Sequence, residues 1–545
     1  MENKILKEWL LSSKLNDQEK KVISEMNLEE QKNFFSSEHL KFGTAGVRAI
    51  MGLGTNRLNQ FVYEQLTEGY CKWLLSKTKN PKIIIARDNR KNGSFFQKTC
   101  AKVASSFGIE VNLIKGDRIK ATPIVSFLIK EMKLDGAIII TASHNPKNYN
   151  GFKIYKDNGG QLIDSETKIV EDFMPSNESI IKNEYIKNDF LIKEIDEKYE
   201  SKYLIAARDV LIKTNINELK EFPIIFTPHH GTSVDTMEEW LKSIGYNNVI
   251  LVKEQGYISS DFENSLSSNP EDKDSFQISL KYAKENNAKI MLGVDPDADR
   301  LAIVVMHNNE WYYLSGNESG IIFTEYVINN KKFTKKPMVV STHVSTILSE
   351  IICKKNNISY FKTGTGFKWI SDKINKELKN HELVVAFEEA IGSLNTTINS
   401  DKDSFQGAAL ILEIFNECSK NNKTLIDYLD EIYEKYGYWK GATIAFLMDA
   451  VKILDWKTKM ISKMEFFQKV IPKSINGTNF LNTNWNHEGD CLEWKFENGS
   501  VIKFRMSGTE PKFKSYINAL GDSQNSTKNF IKEATEYINE LYYSS

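Results

Sequence analysis

Short aliphatic runs, each closed by polar or turn-forming residues, recur along most of the chain. Lys82-Ile-Ile-Ile-Ala-Arg-Asp-Asn-Arg90, Asp135-Gly-Ala-Ile-Ile-Ile-Thr141 and Pro223-Ile-Ile-Phe-Thr-Pro228 are early examples. Lys289-Ile-Met-Leu-Gly-Val294, Pro337-Met-Val-Val-Ser-Thr342 and Leu383-Val-Val-Ala-Phe387 follow. Each is too brief for a helix and apolar on both faces, which predicts buried parallel strands. Helical spacing through Phe95, Phe96 and Val103, and a helix over residues 345–352, lie between runs. Strand and helix in alternation is the rhythm of an α/β sheet with crossover connections. The first eleven residues read as an amphipathic helix, and the Lys-, Glu- and Asn-rich stretch 166–200 as surface helices approaching a boundary. Beyond Tyr438 aromatic and polar residues mix with no crossover pattern, until a closing helix places Phe530, Ala534, Ile538 and Leu541 on one face.

Composition narrows the class without naming a chemistry. A chain of 545 residues has room for about three to four domains. Hydrophobic residues at 41% and charged residues at 26% are those of a globular protein. A net charge of -1 gives no general attraction to nucleic acid or to an anionic membrane. The five cysteines, Cys71, Cys100, Cys353, Cys418 and Cys491, are scattered and form no C-x-x-C pair, which points to free thiols in a reducing cytoplasm. Glu2 and Glu8 stand where a signal peptide would be basic and then apolar, and no run reaches the ~20 apolar residues of a membrane span.

Candidate chemistry sits where the strands end, the place open α/β folds use for ligands. The 135–141 strand leads into Thr141-Ala-Ser143-His144-Asn-Pro, which presents Ser143 on a turn with His144 beside it and no bulky neighbour to cover it. A capping serine in an ordinary turn is the plain alternative. Upstream, Gly43 and Gly46 flank a turn followed by Arg48, a fixed positive fork suited to an anion. Lys153 lies ten residues beyond Ser143, on an expected hairpin close to it. The pair His229-His230 has no carboxylate at ligand spacing and reads as a structural turn. The 289–294 strand ends in Asp295-Pro-Asp297-Ala-Asp299-Arg300. Three carboxylates so close need a cation between them, and an all-oxygen set favours Mg²⁺ or Ca²⁺ over zinc. An EF-hand fails, because Arg300 and Met306 occupy its glycine and glutamate positions. Glycine-rich Phe361-Lys-Thr-Gly-Thr365-Gly366-Phe-Lys368 precedes a strand ending in Glu388-Glu389. That pair could accept hydrogen bonds from sugar hydroxyls or could be ordinary loop charges. Arg505, Ser507, Gly508, Thr509 and Lys512 together form a phosphate cradle.

The loops T-A-S-H-N-P, D-P-D-A-D-R, F-E-E-A-I-G and R-M-S-G-T-E-P-K, in that order, resemble the α-D-phosphohexomutase superfamily of phosphoglucomutases and phosphomannomutases. The F-G-T-A-G-V-R start and T-G-T-G-F-K-W resemble its phosphoglucomutase-2-like branch. This resemblance implies three related α/β domains with mixed sheets and a C-terminal α+β domain around a central cleft. On this chain they would be residues 1–205, 206–314, 315–437 and 438–545. It implies a phosphoserine at Ser143, metal ligands Ser143, Asp295, Asp297 and Asp299, and Mg²⁺. The implied substrate contacts are Thr365, Gly366, Glu388, Glu389, Arg505, Ser507, Gly508 and Thr509. Met506 replaces the usual proline, and Ala390-Ile391 stand where many members carry Ser-Gly-His.

The expected activity is a mutase interconverting hexose 1- and 6-phosphates, glucose first, through phosphoserine and primed by glucose 1,6-bisphosphate. Mannose and pentose phosphates are the alternatives within the family. A phosphate on Ser143, with Arg48 and Arg300 among the catalytic groups, would pass to a sugar hydroxyl. His144, Lys153 or Lys402 would take the proton, the two lysines being favoured, with a pKa lowered by burial. A metal-dependent phosphatase would not need the distal cradle, a serine hydrolase would need the absent G-x-S-x-G, and an inactive binding protein would not keep every chemical group. The partner expected is a small sugar phosphate, with neither nucleic acid nor membrane, for a monomeric or homodimeric cytoplasmic protein.

Overall fold

The computed structural model describes residues 3–196, 198–213, 222–448, 456–487, 489–506 and 512–544. Four sheets account for its architecture. The first contains β1 (Val47–Ile50), β2 (Lys82–Arg87), β3 (Glu110–Ile114), β4 (Gly136–Ile140), β5 (Tyr149–Lys156) and β6 (Ile192–Ile195), in the order β1-β5-β4-β2-β3-β6. The second contains β7 (Ile224–Thr227), β8 (Val249–Leu251), β9 (Ile290–Val294), β10 (Leu301–His307) and β11 (Glu310–Leu314), in the order β11-β10-β9-β7-β8. The third contains β12 (Lys336–Thr342), β13 (Ser359–Thr363), β14 (His381–Phe387) and β15 (Ser393–Leu394), in the order β13-β12-β14-β15.

One four-strand unit is repeated in all three. A strand, a helix, a second strand and a second helix lead to a third strand parallel to the first, and the chain then doubles back antiparallel. That third strand is β4, β9 and β14 in turn, and its return partners are β5, β10 and β15. It is paired with a strand on either side, and every residue of β4 and of β9 is buried. The loop that follows it carries Ser143 in the first sheet, Asp295 to Arg300 in the second and Glu388-Glu389 in the third. Polar chemistry therefore sits at an equivalent place in each repeat, on a loop fixed at both ends by sheet.

The last sheet is of another kind. It contains β16 (Tyr438–Leu447), β17 (Ser474–Ile475), β18 (Thr478–Asn486), β19 (Cys491–Phe496), β20 (Val501–Met506) and β21 (Lys512–Gly521), wholly antiparallel in the order β16-β21-β20-β19-β18-β17. Trp494 packs with Phe467 and Phe504 at its centre, and the closing helix Gln524–Ser544 buries Phe530, Ala534, Ile538 and Leu541 as its spacing predicts.

Two compact units result, one of Met1–Tyr313 with Thr396–Glu413, the other of Leu314–Asn395 with Ile414–Ser545. The strand β6 corrects the expectation of helices alone over residues 166–200. It is an edge strand whose Lys193 and Glu194 are exposed while Ile195 is buried, so its composition hides it. His229 and His230 are buried with their ring nitrogens against the carbonyls of Val294, Ser275, Tyr257 and Glu263, in agreement with a structural turn.

The segment Thr396–Glu413 is fastened into the first unit by buried acids. Asp401 accepts from the Tyr155 hydroxyl at 2.7 Å and from Gln161 at 2.9 Å. Asp403 accepts from the Tyr203 hydroxyl, Asn399, the Gln406 side chain and the amides of Phe405 and Gln406. Burial pushes the Asp403 carboxyl up to about 6, and these donors leave it ionised at neutral pH. Asp403→Asn turns an NH₂ group into a ring of donors. We expect it to cost about 2–3 kcal/mol, read as a lowered midpoint in urea unfolding of the full chain.

Candidate active site

In the first unit the loop after β4 meets the loop after β9. Ser143 has a left-handed backbone (φ 50°), which an L residue adopts only when its surroundings impose it. Its amide donates to the Thr141 hydroxyl at 2.8 Å, and its own hydroxyl donates to Asp295 Oδ2 at 2.6 Å, with His144 Nδ1 at 3.2 Å. With 1% of its surface exposed, Ser143 is covered by the acidic loop, contrary to the expectation of an uncovered serine. Arg48 donates to Asn145 Oδ1 at 2.9 Å and so stands beside the same loop.

Asp295, Asp297 and Asp299 are all buried and offer carboxylate oxygens within 4.8 Å of one another. Their loop is held through its backbone from three directions. The Thr122 amide donates to the Asp297 carbonyl at 2.9 Å, the Thr232 amide to the Pro296 carbonyl at 2.8 Å, and the Ser404 hydroxyl to the Ala298 carbonyl at 2.6 Å. Gly231 admits the close approach to this loop, since a Cβ there would lie 2.5 Å from Pro296 Cα.

Compensation for the buried negative charge comes from lysines. Lys153 Nζ lies 2.6 Å from Asp297 Oδ2 and 3.0 Å from Asp299 Oδ2, and Lys402 Nζ lies 3.1 Å from both Asp299 Oδ2 and Asp401 Oδ1. Burial, then the charges of Asp297 and Asp299, push the Asp295 carboxyl well above its ordinary range. Burial acts to raise Asp297 and Asp299 too, but Lys153 holds both below it, joined at Asp299 by Lys402 and Arg300. Lys153 is itself corrected: burial lowers it as expected, yet the two carboxylates outweigh burial and hold the ammonium above its ordinary value. Arg300 reaches Glu271 at 3.3 Å and Asp299 Oδ1 at 4.0 Å, and its amide donates to Asp295 Oδ1 at 3.0 Å.

The donor set fits a hard divalent cation. It is all oxygen, and Asp297 Oδ1 and Asp299 Oδ1 are buried without a hydrogen-bond partner among the described residues. Ser143, Asp295, Asp297 and Asp299 are the groups that could hold such an ion.

The second unit carries the rest of the expected residues. Gly366 donates its amide to Glu388 Oε1 at 3.0 Å, which joins the glycine-rich loop to the glutamate pair. The turn at Glu388-Glu389 lies so close to Gly316 that a Cβ there would meet the Glu388 and Glu389 carbonyls at 2.6 and 2.5 Å. Thr365 Oγ1 and Arg505 Nε are buried without a partner among the described residues. Burial, then the charge of Glu389, pushes the Tyr516 phenol well above its ordinary value, with Arg505 opposing and Glu388 adding. Ser507, Gly508 and Thr509 lie outside the described residues.

One group stands against the Ser143 loop that the sequence pattern did not single out. Arg90, in the charged end of the strand run at 82–90, is buried and directs its guanidinium at that loop's carbonyls.

From the charge balance we expect Lys153→Met to leave Asp297 without its lysine and Asp299 with Lys402 and Arg300 alone, costing about 3–5 kcal/mol in EDTA. Added Mg²⁺ should then raise the melting temperature of this variant more than that of the unaltered chain. Equal shifts would contradict the assigned balance.

Comparison with known proteins agrees with this arrangement. Residues 39–180, 201–308 and 315–436 match the family descriptions "Phosphoglucomutase/phosphomannomutase, alpha/beta/alpha domain I", "domain II" and "domain III". A phosphomannomutase of Mycoplasmoides pirum is 42% identical over 544 residues, covering 99% of each chain. A phosphoglucomutase of Staphylococcus saprophyticus is 31% identical, covering 93% of this chain and 95% of the other. The open form of the Paramecium exocytosis-sensitive phosphoprotein pp63/parafusin, a phosphoglucomutase, superposes with a TM-score of 0.69 at 16% identity, covering 93% and 95% of the two chains, and shows the same fold. With three family domains in order and relatives matched over almost their full length, the chain belongs to the phosphoglucomutase/phosphomannomutase family of enzymes.

Proposed function

We propose that the chain is a hexose phosphomutase interconverting glucose 1-phosphate and glucose 6-phosphate, with a phosphate carried on Ser143 and glucose 1,6-bisphosphate as primer. The observation that carries this reading is the Ser143 hydroxyl, buried and hydrogen-bonded to Asp295 beside two more buried carboxylates. A serine so placed, donating to one carboxylate beside two more, suits a phosphoryl group whose charge a bound cation would offset. When bound, Mg²⁺ held by Ser143, Asp295, Asp297 and Asp299 supplies Lewis acidity and neutralises charge on the phosphoryl oxygens.

The chain's own groups do the remainder. In the forward step the sugar hydroxyl oxygen forms a bond to phosphorus as the Ser143 Oγ–phosphorus bond breaks; the hydroxyl proton passes to a neighbouring base, and the leaving Ser143 Oγ takes up a proton, with His144 Nδ1 within reach to supply it. Lys402 and Lys153 are the favoured bases, each once the Asp299 carboxylate it pairs with is shared with a metal ion. Return of the other phosphate to Ser143 reverses these transfers. Arg48 and Arg300 offer guanidinium forks to the phosphoryl group, and His144 stands within reach of the serine hydroxyl. In the second unit Arg505, with Ser507, Gly508 and Thr509, would grip the phosphate that is not being transferred, and Thr365 and Gly366 would line the sugar loop. Glu388 and Glu389 would accept from the 3- and 4-hydroxyls.

Those two hydroxyls are common to glucose and mannose, so the glutamates separate hexoses from pentoses and leave the 2-position to other groups. Mannose phosphates are the second reading, favoured by the name of the 42% identical relative. The test is kcat/KM for glucose 1-phosphate, mannose 1-phosphate and ribose 1-phosphate at fixed Mg²⁺ and bisphosphate. We expect glucose first, mannose slower and ribose last. A lead for mannose would select the second reading, and a lead for ribose would overturn the hexose assignment.

A further inference from the structure

Arg90 is a buried cation whose hydrogen bonds all go to backbone. Nη1 donates to the Pro146 carbonyl at 2.8 Å and to the Tyr149 carbonyl at 2.9 Å. Nη2 donates to the Ser143 carbonyl at 2.6 Å and to the Asn145 carbonyl. Four terminal N–H groups therefore meet four carbonyls of one loop. Nε faces Asp88 Oδ2 at 3.2 Å, and the Arg90 amide donates to Asp88 Oδ1 at 2.9 Å, so the guanidinium has a fixed counter-ion beneath it. The Ser268 hydroxyl takes the remaining carbonyl, that of His144, at 3.0 Å. Every carbonyl from Ser143 to Pro146 is thereby drawn to a donor.

We propose that Arg90 is a positioning residue for phosphoryl transfer: by gathering these carbonyls it imposes the left-handed turn at Ser143 and so aims the Ser143 hydroxyl at Asp295. This rests on the reading of Ser143 as the phosphate carrier. Arg90 makes no bond to the hydroxyl itself, so its action runs through the backbone. The Ser143–His144 peptide is planar, and drawing its oxygen to Arg90 turns its N–H the opposite way. A lysine has three donors on a single nitrogen and cannot span carbonyls contributed by four residues, so the position calls for a guanidinium.

The double variant Asp88→Asn, Arg90→Met tests this, since it removes both buried charges together and preserves the fold better than the single change. Its activity is normalised to the fraction of chains that acquire phosphate on Ser143 from glucose 1,6-bisphosphate, read by peptide mass spectrometry. We expect kcat to fall about a hundredfold, as for a misplaced reacting group, with KM for glucose 1-phosphate within a few fold. Amides of residues 141–150 should exchange hydrogen faster, while those of β2 and β3 do not, and Arg90→Lys should recover only part of the rate. A folded double variant with unchanged normalised kcat, or a loss confined to KM, overturns the assignment of Arg90 alone. Turnover by the unaltered chain without phosphate on Ser143 overturns the phosphoserine reading and Arg90's role with it.

Discussion

Three carboxylates buried on one short loop are the constraint around which the first unit is built. Left alone, Asp295, Asp297 and Asp299 would repel one another in a medium that screens poorly. Lys153 from β5, Lys402 from the segment Thr396–Glu413 and the backbone amides of Asp299 and Arg300 supply the compensation. Those contacts tie the return strand of one repeat, the acidic loop of the next and a segment from much later in the chain to a single point. The same arrangement leaves Asp297 Oδ1 and Asp299 Oδ1 without a hydrogen-bond partner among the described residues, which suits a dissociable cation. Stability and the proposed ion binding would therefore draw on one set of groups: lysines hold the acids together, and a bound cation would relieve the lysines.

The repeat explains how the chemistry could be distributed without disturbing the fold. In each of the first three sheets the fully flanked parallel strand delivers a loop that the antiparallel return strand then pins. A loop fixed at both ends can carry strained or charged residues, and the left-handed Ser143 and Ala298 are two such places. Side chains in the loops vary from serine to aspartate to glutamate, while the strand order behind them is the same.

Much of this was legible in the sequence because it is local. Strands β2, β4, β7, β9, β12 and β14 are continuous aliphatic runs, and the Ser143, Asp295–Asp299 and Glu388-Glu389 loops each put their groups within a few residues. What depends on distant partners was not legible. Arg90 binds carbonyls 53 to 59 positions away, and backbone acceptors leave no side-chain signature. The cover over Ser143 comes from Asp295, 152 positions on. Lys402 could be named as a base, but that its segment packs into the first unit depends on Asp401 and Asp403 finding Tyr155 and Tyr203. The edge strand β6 has a polar, Lys- and Glu-bearing composition that reads as helix, and only its pairing with β3 makes it a strand.

The central claim is that the acid-bound hydroxyl of Ser143 carries the phosphoryl group between sugar positions. Its most direct test is a single-turnover experiment with the isolated chain, Mg²⁺ and isotopically labelled glucose 1,6-bisphosphate, followed by peptide mapping. The account predicts that label appears on Ser143 alone, and that adding unlabelled glucose 1-phosphate chases it into sugar bisphosphate. Label on any other residue, or label on Ser143 that hexose monophosphate cannot remove, would contradict it.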